Sequence, residues 1–301
     1  MKFFKSLYQF IDVLKTDEDC RIFLEEARWG KEPMCPHCGI QHERHYKLKF
    51  GGLYKCRSCH KRFTVLQGTV FEGTHISLRK WFLAIYLFLS HKKGISSIQL
   101  SKDIDVTQKT AWFMLQRIRC NLEDKVPVTF DTETQIDETY VGGKSRGFRN
   151  GMQGRSTKEK TVVMGLLSER RVKAIVIPDA SARTLKTVIY HLIRFGSTVV
   201  TDGWRGYHGI GEYYVHKVIR HSNGIYVDED GYHTNSIEGF WSHLKRGIIG
   251  VYHVVSRKHL QKYCDEFSYR YNTRDMSDGE RFVKFIKDTD KQVKWNNMIY
   301  G

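Results

Sequence analysis

The chain has 301 residues, with 49 Lys+Arg against 33 Asp+Glu and a formal net charge of +16. Its 41% apolar and 27% charged residues exclude wholesale disorder, and the longest strongly apolar run, residues 81–89, is far short of the roughly 20 that span a bilayer. The length suggests about two domains, and the charge suggests an anionic partner, with nucleic acid, anionic lipid and plain solubility all compatible.

Residues 1–34 hold 6 basic and 7 acidic side chains and are read as an N-terminal helical segment. The opening MKFFKSLYQFID acquires an acid at Asp12 and has no small-residue cleavage site, so no signal peptide is expected and the expected location is the cytoplasm. Residues 35–70 carry 7 basic side chains against 1 acidic, the densest positive charge in the chain. They contain CPHC at 35–38 and CRSC at 56–59, with 17 residues between. This is the two-knuckle spacing of a structural zinc site, in which Cys35, Cys38, Cys56 and Cys59 supply four thiolates. Two disulfides or a redox pair compete with zinc, but without a secretion signal the thiols should stay reduced. His37 and His60 flank the knuckles, where four cysteines already complete a shell. A ribbon this small needs the metal to fold. Its Lys and Arg residues alternate with Tyr46, Phe50, Tyr54 and Phe63, a mixture that suits nucleic-acid contact or simple packing under a basic face.

Residues 71–127 are read as a helix-turn-helix region. A buried helix is expected over 78–91. Ser96 and Ser97 then cap a helix to about Lys102, residues 104–106 form a tight link, and Thr107 caps a second helix. Asp105 holds a turn position where glycine is commoner, and Asp tolerates the left-handed region. On the second helix Ala111, Met114, Leu115 and Ile118 form an apolar face, and Lys109, Trp112, Gln116 and Arg119 are expected to face DNA. An ordinary helical hairpin is the alternative.

Pro127 and the polar run after it suggest a linker to a second domain over 128–301. Strands are expected at 135–141, 161–167, 172–178 and 197–201, and helices at 180–195, 232–247 and 256–272, which makes an α/β or α+β sheet layered with helices. Two acids sit at strand positions, Asp137 and Asp202, and a third, Glu238, borders the apolar face of a helix. Lys245 follows Glu238 by two helical turns. Three convergent carboxylates can hold two divalent cations, and hard oxygen ligands suit Mg²⁺ or Mn²⁺. Individually each acid also fits a turn, a loop cap or a solvated helix position. Glu138 follows Asp137 on the strand, so only one of the two should meet the metals. Residues 144–160 hold Lys144, Arg146, Arg149 and Arg155 among several glycines and are read as a loop contacting the DNA backbone, or as an exposed hairpin loop. The acidic turn at 228–231 could take a cation or be solvated. Glu266 and Arg270 have the spacing of a helical ion pair.

The ordered set CPHC…CRSC, GISSIQLSKDIDVTQKTAWFMLQRIR, IDETYVGGK, TDGWRGY, HTNSIEGFWSHLKRGIIGVYH and EFSYRYNTR resembles the DDE transposases of bacterial insertion sequences that carry an N-terminal zinc ribbon, the ISXO-two-like type. The resemblance runs over roughly residues 20–274. It implies a ribonuclease-H-like catalytic domain behind the ribbon and helix-turn-helix. It also implies Asp137, Asp202 and Glu238 as an acidic triad holding Mg²⁺ or Mn²⁺, with Lys245 as the basic residue beyond the third acid. Arg246 beside it is expected to join Lys245 on DNA. The implied partners are double-stranded DNA, as terminal inverted repeats and target, and a second copy of the chain, because two ends must be synapsed. No membrane partner is expected. Two other readings stand beside this one: a DNA-binding regulator with an inactive transposase-derived domain, and a ribonuclease-H-like nuclease acting on another nucleic acid.

Overall fold

The computed structural model describes residues 4–42, 44–48, 51–123, 129–142, 160–220, 224, 226–289 and 293. Among these the elements run α1 (Leu7–Val13), α2 (Asp17–Trp29), β1 (Tyr46–Lys47), β2 (Tyr54–Lys55), β3 (Arg62–Phe63), α3 (Leu78–Ser90), α4 (Ser97–Asp103) and α5 (Gln108–Cys120). There follow β4 (Thr134–Val141), β5 (Thr161–Ser168), β6 (Arg171–Ile177), α6 (Ala182–Leu192), β7 (Thr198–Asp202), β8 (Val215–Ile219), α7 (Asn235–Gly247), α8 (Leu260–Asn272) and α9 (Asp278–Lys287). No described helix is long and apolar enough to cross a membrane.

The chain forms two compact units, Met1–Asn121 with Thr273–Gly301, and Leu122–Asn272. This corrects the expected boundary, which gave all of 128–301 to one domain. The reason is a ring of aromatics. Phe282 on α9 stands 5.1 Å from Phe10, 5.6 Å from Phe82, and 6.0 Å from Phe4, Phe23 and Tyr86, all in the first unit. Gly279 lets the α9 backbone approach, since a Cβ there would meet the Phe4 carbonyl oxygen at 2.1 Å. Arg281, buried, donates to the carbonyls of Leu89, Thr273 and Met276.

In the first unit Ser77, Ser96 and Thr107 cap α3, α4 and α5, each accepting the amide three residues on. Asp105 takes a φ of +51° in the link between α4 and α5, as its side chain permits. The ribbon strands β1-β2-β3 form a small antiparallel sheet, and Trp29 of α2 packs edge-on against Tyr54 and Phe63. The three strands thus share a core with a helix that precedes them.

The second unit is a five-stranded sheet in the order β6-β5-β4-β7-β8. β5 runs antiparallel to β4 and β6, whereas β4, β7 and β8 are mutually parallel. One face packs Ile136, Met164, Leu166 and Val199 against Leu185 and Ile189 of α6 and against Tyr207. The other packs Val163, Leu167 and Ala174 against α7 and α8 through Ile237, Phe240, Trp241, Leu244, Cys264 and Phe267. β6 is an edge strand, and α8 covers its free edge with amide side chains. Gln261 takes the Val176 amide and gives to the Ala174 carbonyl, and Asn272 does the same for both backbone groups of Val172. The expected strands and helices of this unit are all present within a few residues, and β8 is an addition the sequence reading lacked.

Candidate functional site

In the ribbon the two knuckles repeat one backbone pattern. Gly39 N donates to Cys35 O and His60 N to Cys56 O, while Cys35 N and Cys56 N bond to Ile40 O and Lys61 O. Both turns close through a left-handed residue, Gly39 at φ +72° and His60 at φ +58°. The repeat brings Cys35 Sγ to 3.7 Å from Cys59 Sγ and Cys38 Sγ to 3.6 Å from Cys56 Sγ. The four sulfurs lie within 4.8 Å of one another, the one such group among the described residues. A zinc–sulfur bond of about 2.3 Å gives a tetrahedron edge of about 3.8 Å, so the spacing suits Zn²⁺ and is far too long for a disulfide. Burial raises the Cys56 thiol, but the Cys59 and Ser58 amides and the Cys38 and Cys59 sulfurs together bring it down to about 6, while burial pushes Cys35 up to about 12. His37 instead bonds the Arg62 carbonyl at 3.1 Å.

The face expected to meet DNA on α5 is only partly available. Lys109 is exposed and Trp112 half-buried, but Gln116 is 0% and Arg119 1% exposed. The last two turns of α5 are enclosed by this unit's own core. The Arg119 guanidinium lies 5.6 Å from the centre of the Phe88 ring, and neighbouring Arg117 stacks on Trp81 and donates to the Glu72 carbonyl. Gln116 and Arg119 therefore leave the set of candidate DNA contacts. Lys144, Arg146, Arg149 and Arg155 lie outside the described residues.

In the second unit the β4–β7 ladder pairs Thr134 with Val199 and Gln135 with Val200. Two residues on, Asp137 and Asp202 stand level on neighbouring parallel strands and share a face. That face carries α7, whose first turn holds Glu238. Trp241, one turn beyond Glu238, donates from Nε1 to Asp137 Oδ2 at 2.9 Å. Asp202 Oδ1 accepts the Trp204 amide at 2.9 Å, and Glu238 Oε1 accepts from Thr234 Oγ1 at 3.1 Å. Burial, then the charge of Asp202, pushes the Asp137 carboxyl up to about 6. Glu238 adds to this, against the Glu138 amide and the Trp241 indole. Asp202 and Glu238 thus both act on Asp137, yet the three acids' oxygens do not close to the 4.8 Å of the sulfur cluster. Like charges in a half-buried site repel, and an oxygen-only donor set of carboxylates fits a hard divalent cation. Lys245 and Arg246 are exposed near the other end of α7.

Glu138 lies on the opposite face, as the strand period requires, where the Tyr207 hydroxyl donates to its Oε2. Burial pushes it up to about 7, with Asp137 and Asp202 adding to the rise. The Asp228 carboxylate accepts the Asp230 and Tyr232 amides, which makes the acidic turn a structural cap. Glu266 pairs with Arg270 at 2.8 Å in a buried site and also accepts from Tyr252. Three side chains around the acids were missed in the sequence: Trp241, Gln135 and Tyr207. Only Trp241 left a signal, by sitting one turn from Glu238 on the same helix.

Residues 131–272 match the profile of the ISXO2-like transposase domain, and residues 15–62 that of the transposase zinc-ribbon domain. The first match ends where the second compact unit ends, and the second includes α2 together with the knuckles. An uncharacterized protein in transposable element ISH50 of Halobacterium salinarum is 28% identical over 282 residues, covering 88% of this chain and 94% of its own. An uncharacterized transposase-like protein of Haemophilus influenzae is 27% identical over 115 residues, 38% of this chain and 91% of its own. Among solved structures, the Mos1 strand transfer complex aligns at a TM-score of 0.23 and 11% identity over 66% of this chain and 78% of that one, a likeness too loose to carry fold or function.

Proposed function

We propose that this chain, which belongs to the ISXO2-like transposases with an N-terminal zinc ribbon, is an active DNA transposase that recognises the inverted repeats of its element and cuts and joins DNA strands at Asp137, Asp202 and Glu238. What carries the reading is the acid cluster: carboxylates from β4, β7 and α7 gather on one face, and those of Asp202 and Glu238 act on Asp137. The sheet order, with an antiparallel hairpin on one side and parallel strands on the other, fits a ribonuclease-H-like fold.

Asp137, Asp202 and Glu238 would hold Mg²⁺ or Mn²⁺, which when bound activates the attacking oxygen and stabilises the leaving one. The reaction has two displacements. Water attacks phosphorus at the element end, its P–O bond forms, the P–O3′ bond breaks, and O3′ leaves as a hydroxyl. That 3′-hydroxyl then attacks a target phosphodiester, and the target's own O3′ leaves. Lys245, two turns from Glu238, would neutralise phosphate charge, with Arg246 beside it. The half-buried setting of Asp137 excludes part of the water that would screen these interactions. The zinc ribbon, the α4–α5 pair and Lys109 would read the element ends, and two copies would synapse two ends.

The test is strand cleavage and strand transfer with purified protein, element-end DNA and Mg²⁺. Cleavage that depends on the end sequence is expected. Full activity in D137N or D202N would sink the mechanism. End binding without any nicking in Mg²⁺ or Mn²⁺ would favour the regulator reading instead.

A further inference from the structure

We propose that Trp241 is a positioning residue that fixes the Asp137 carboxylate for divalent-cation binding, and that Gly165 is the recess that admits it. The inference rests on the reading of Asp137 as a metal ligand. Trp241 is 4% exposed and its indole lies over Gly165, the residue of β5 that pairs with Asp137 of β4. A Cβ on Gly165 would meet Trp241 Cζ2 at 2.6 Å and Cη2 at 2.8 Å, and Ile237 Cδ1 at 2.8 Å. A side chain at 165 therefore forces the indole, Ile237 or both to shift. The φ of Gly165 lies outside the left-handed region, so close approach is the reason for glycine here.

The donor's chemistry suits this position. An indole N–H donates, never accepts and never ionises. Lysine or arginine at 241 would cancel the charge a cation needs, and histidine would compete as a ligand. Tryptophan orients one oxygen, Oδ2, and leaves the negative charge of the cluster intact. A second link holds the same helix to the same strand. Gln135 Oε1 accepts the Ile237 amide at 3.2 Å, and its Nε2 meets His233 Nδ1 at 3.2 Å. Gln135 and Asp137 share one face of β4, and they tie down α7 at Ile237 and Trp241, on either side of Glu238. The spacing between the first and third acids is thereby set by a strand, a helix and one glycine.

The test uses the full-length zinc-loaded chain. Mn²⁺ binding is titrated by the electron paramagnetic resonance of the free ion in wild type, D137N, W241F, G165A and the W241F/G165A double variant, with thermal unfolding measured on each. W241F keeps an aromatic ring and loses the donor. Mn²⁺ affinity is expected to fall on the order of tenfold in W241F and in G165A, as for partners that orient a metal ligand. The double variant should lose little more, because a phenyl ring lacks the atoms that Gly165 accommodates. A folded W241F that binds Mn²⁺ as tightly as wild type overturns the proposal, as does a lower melting temperature with unchanged affinity. If W241F does not fold, G165A decides the matter by the same criterion. Equal Mn²⁺ binding by wild type and D137N overturns the reading of Asp137 as a ligand, and this inference with it.

Discussion

The two charged clusters of this chain are built in opposite ways. The four cysteines come from two copies of one local turn, and their sulfurs already stand at the spacing of a metal tetrahedron. The three carboxylates come from two strands and a helix and sit farther apart, and the charges of Asp202 and Glu238 help raise the Asp137 carboxyl. A closed site made by local turns serves folding, whereas an open site made by tertiary packing keeps room and charge for a substrate. The difference predicts what each region loses when it is disturbed.

The largest effect should come from the ribbon. Removal of zinc by a strong chelator, or C56S, is expected to unfold β1–β3, because structural zinc contributes on the order of 10 kcal/mol to a domain of this kind. One zinc per chain by elemental analysis, and loss of end binding on its removal, would support the contrast. A ribbon whose circular dichroism and DNA binding survive zinc removal would break it. D202N should have the converse signature: a loss of cleavage on the order of 10³-fold, a few kcal/mol of barrier, with zinc content and end binding unchanged.

Next in size is the core that α9 completes. F282A removes the ring that Phe4, Phe10, Phe23, Phe82 and Tyr86 surround and should cost about 3–5 kcal/mol. The loss should appear as a lower denaturant midpoint for the unit that holds the ribbon. An unchanged midpoint would mean that α9 does not contribute to the stability of the first unit.

A smaller effect separates the clusters by pH. The Asp137 carboxyl is raised from its ordinary 3.8 to about 6. Between these values the folded state binds more protons than the unfolded one, so stability falls as pH rises toward 6 and stays lower above it. D137N removes this penalty. It should stabilise the metal-free protein by about 1–3 kcal/mol at pH 7.5 and by little at pH 4. Mg²⁺ should narrow the gap in wild type. A D137N variant less stable than wild type at pH 7.5 without metal would show that the site is not under repulsive strain.

How legible each cluster was follows from the same contrast. The knuckles could be read directly because each needs only four consecutive residues. The acids could be placed on strands and a helix, but nothing local shows that Gln135 pairs with Val200, the pairing that sets Asp137 level with Asp202. β8 was missed because it is a short edge strand with exposed Val215 and Val218 and no clear alternation. Phe282 has a readable apolar helix around it, yet its partners lie at residues 4–86, in a distant part of the sequence. The error on α5 is the most instructive. Gln116 and Arg119 share a polar stripe at helical spacing, which reads as a solvent face. In the fold that stripe turns inward, where the Arg119 guanidinium stacks on Phe88. Polarity at helical spacing gave no sign that this part of the helix would be buried.

The smallest effect tests that correction. Lys109 is exposed on the first turn of α5, whereas Arg119 is enclosed on the last. If Lys109 contacts a phosphate of the element end, K109A should weaken binding by about 1 kcal/mol across all end sequences. It should also lower the slope of log K against log salt by about 1, with no change in melting temperature. R119A should act the other way, destabilising the fold while leaving the salt slope of whatever protein remains folded unchanged. The pair is informative because both substitutions remove one positive charge from one helix. Equal salt slopes in K109A and wild type would take Lys109 off the DNA. A reduced slope in well-folded R119A would mean that the last turn of α5 opens to meet DNA, and the burial of that turn would then describe only the free protein.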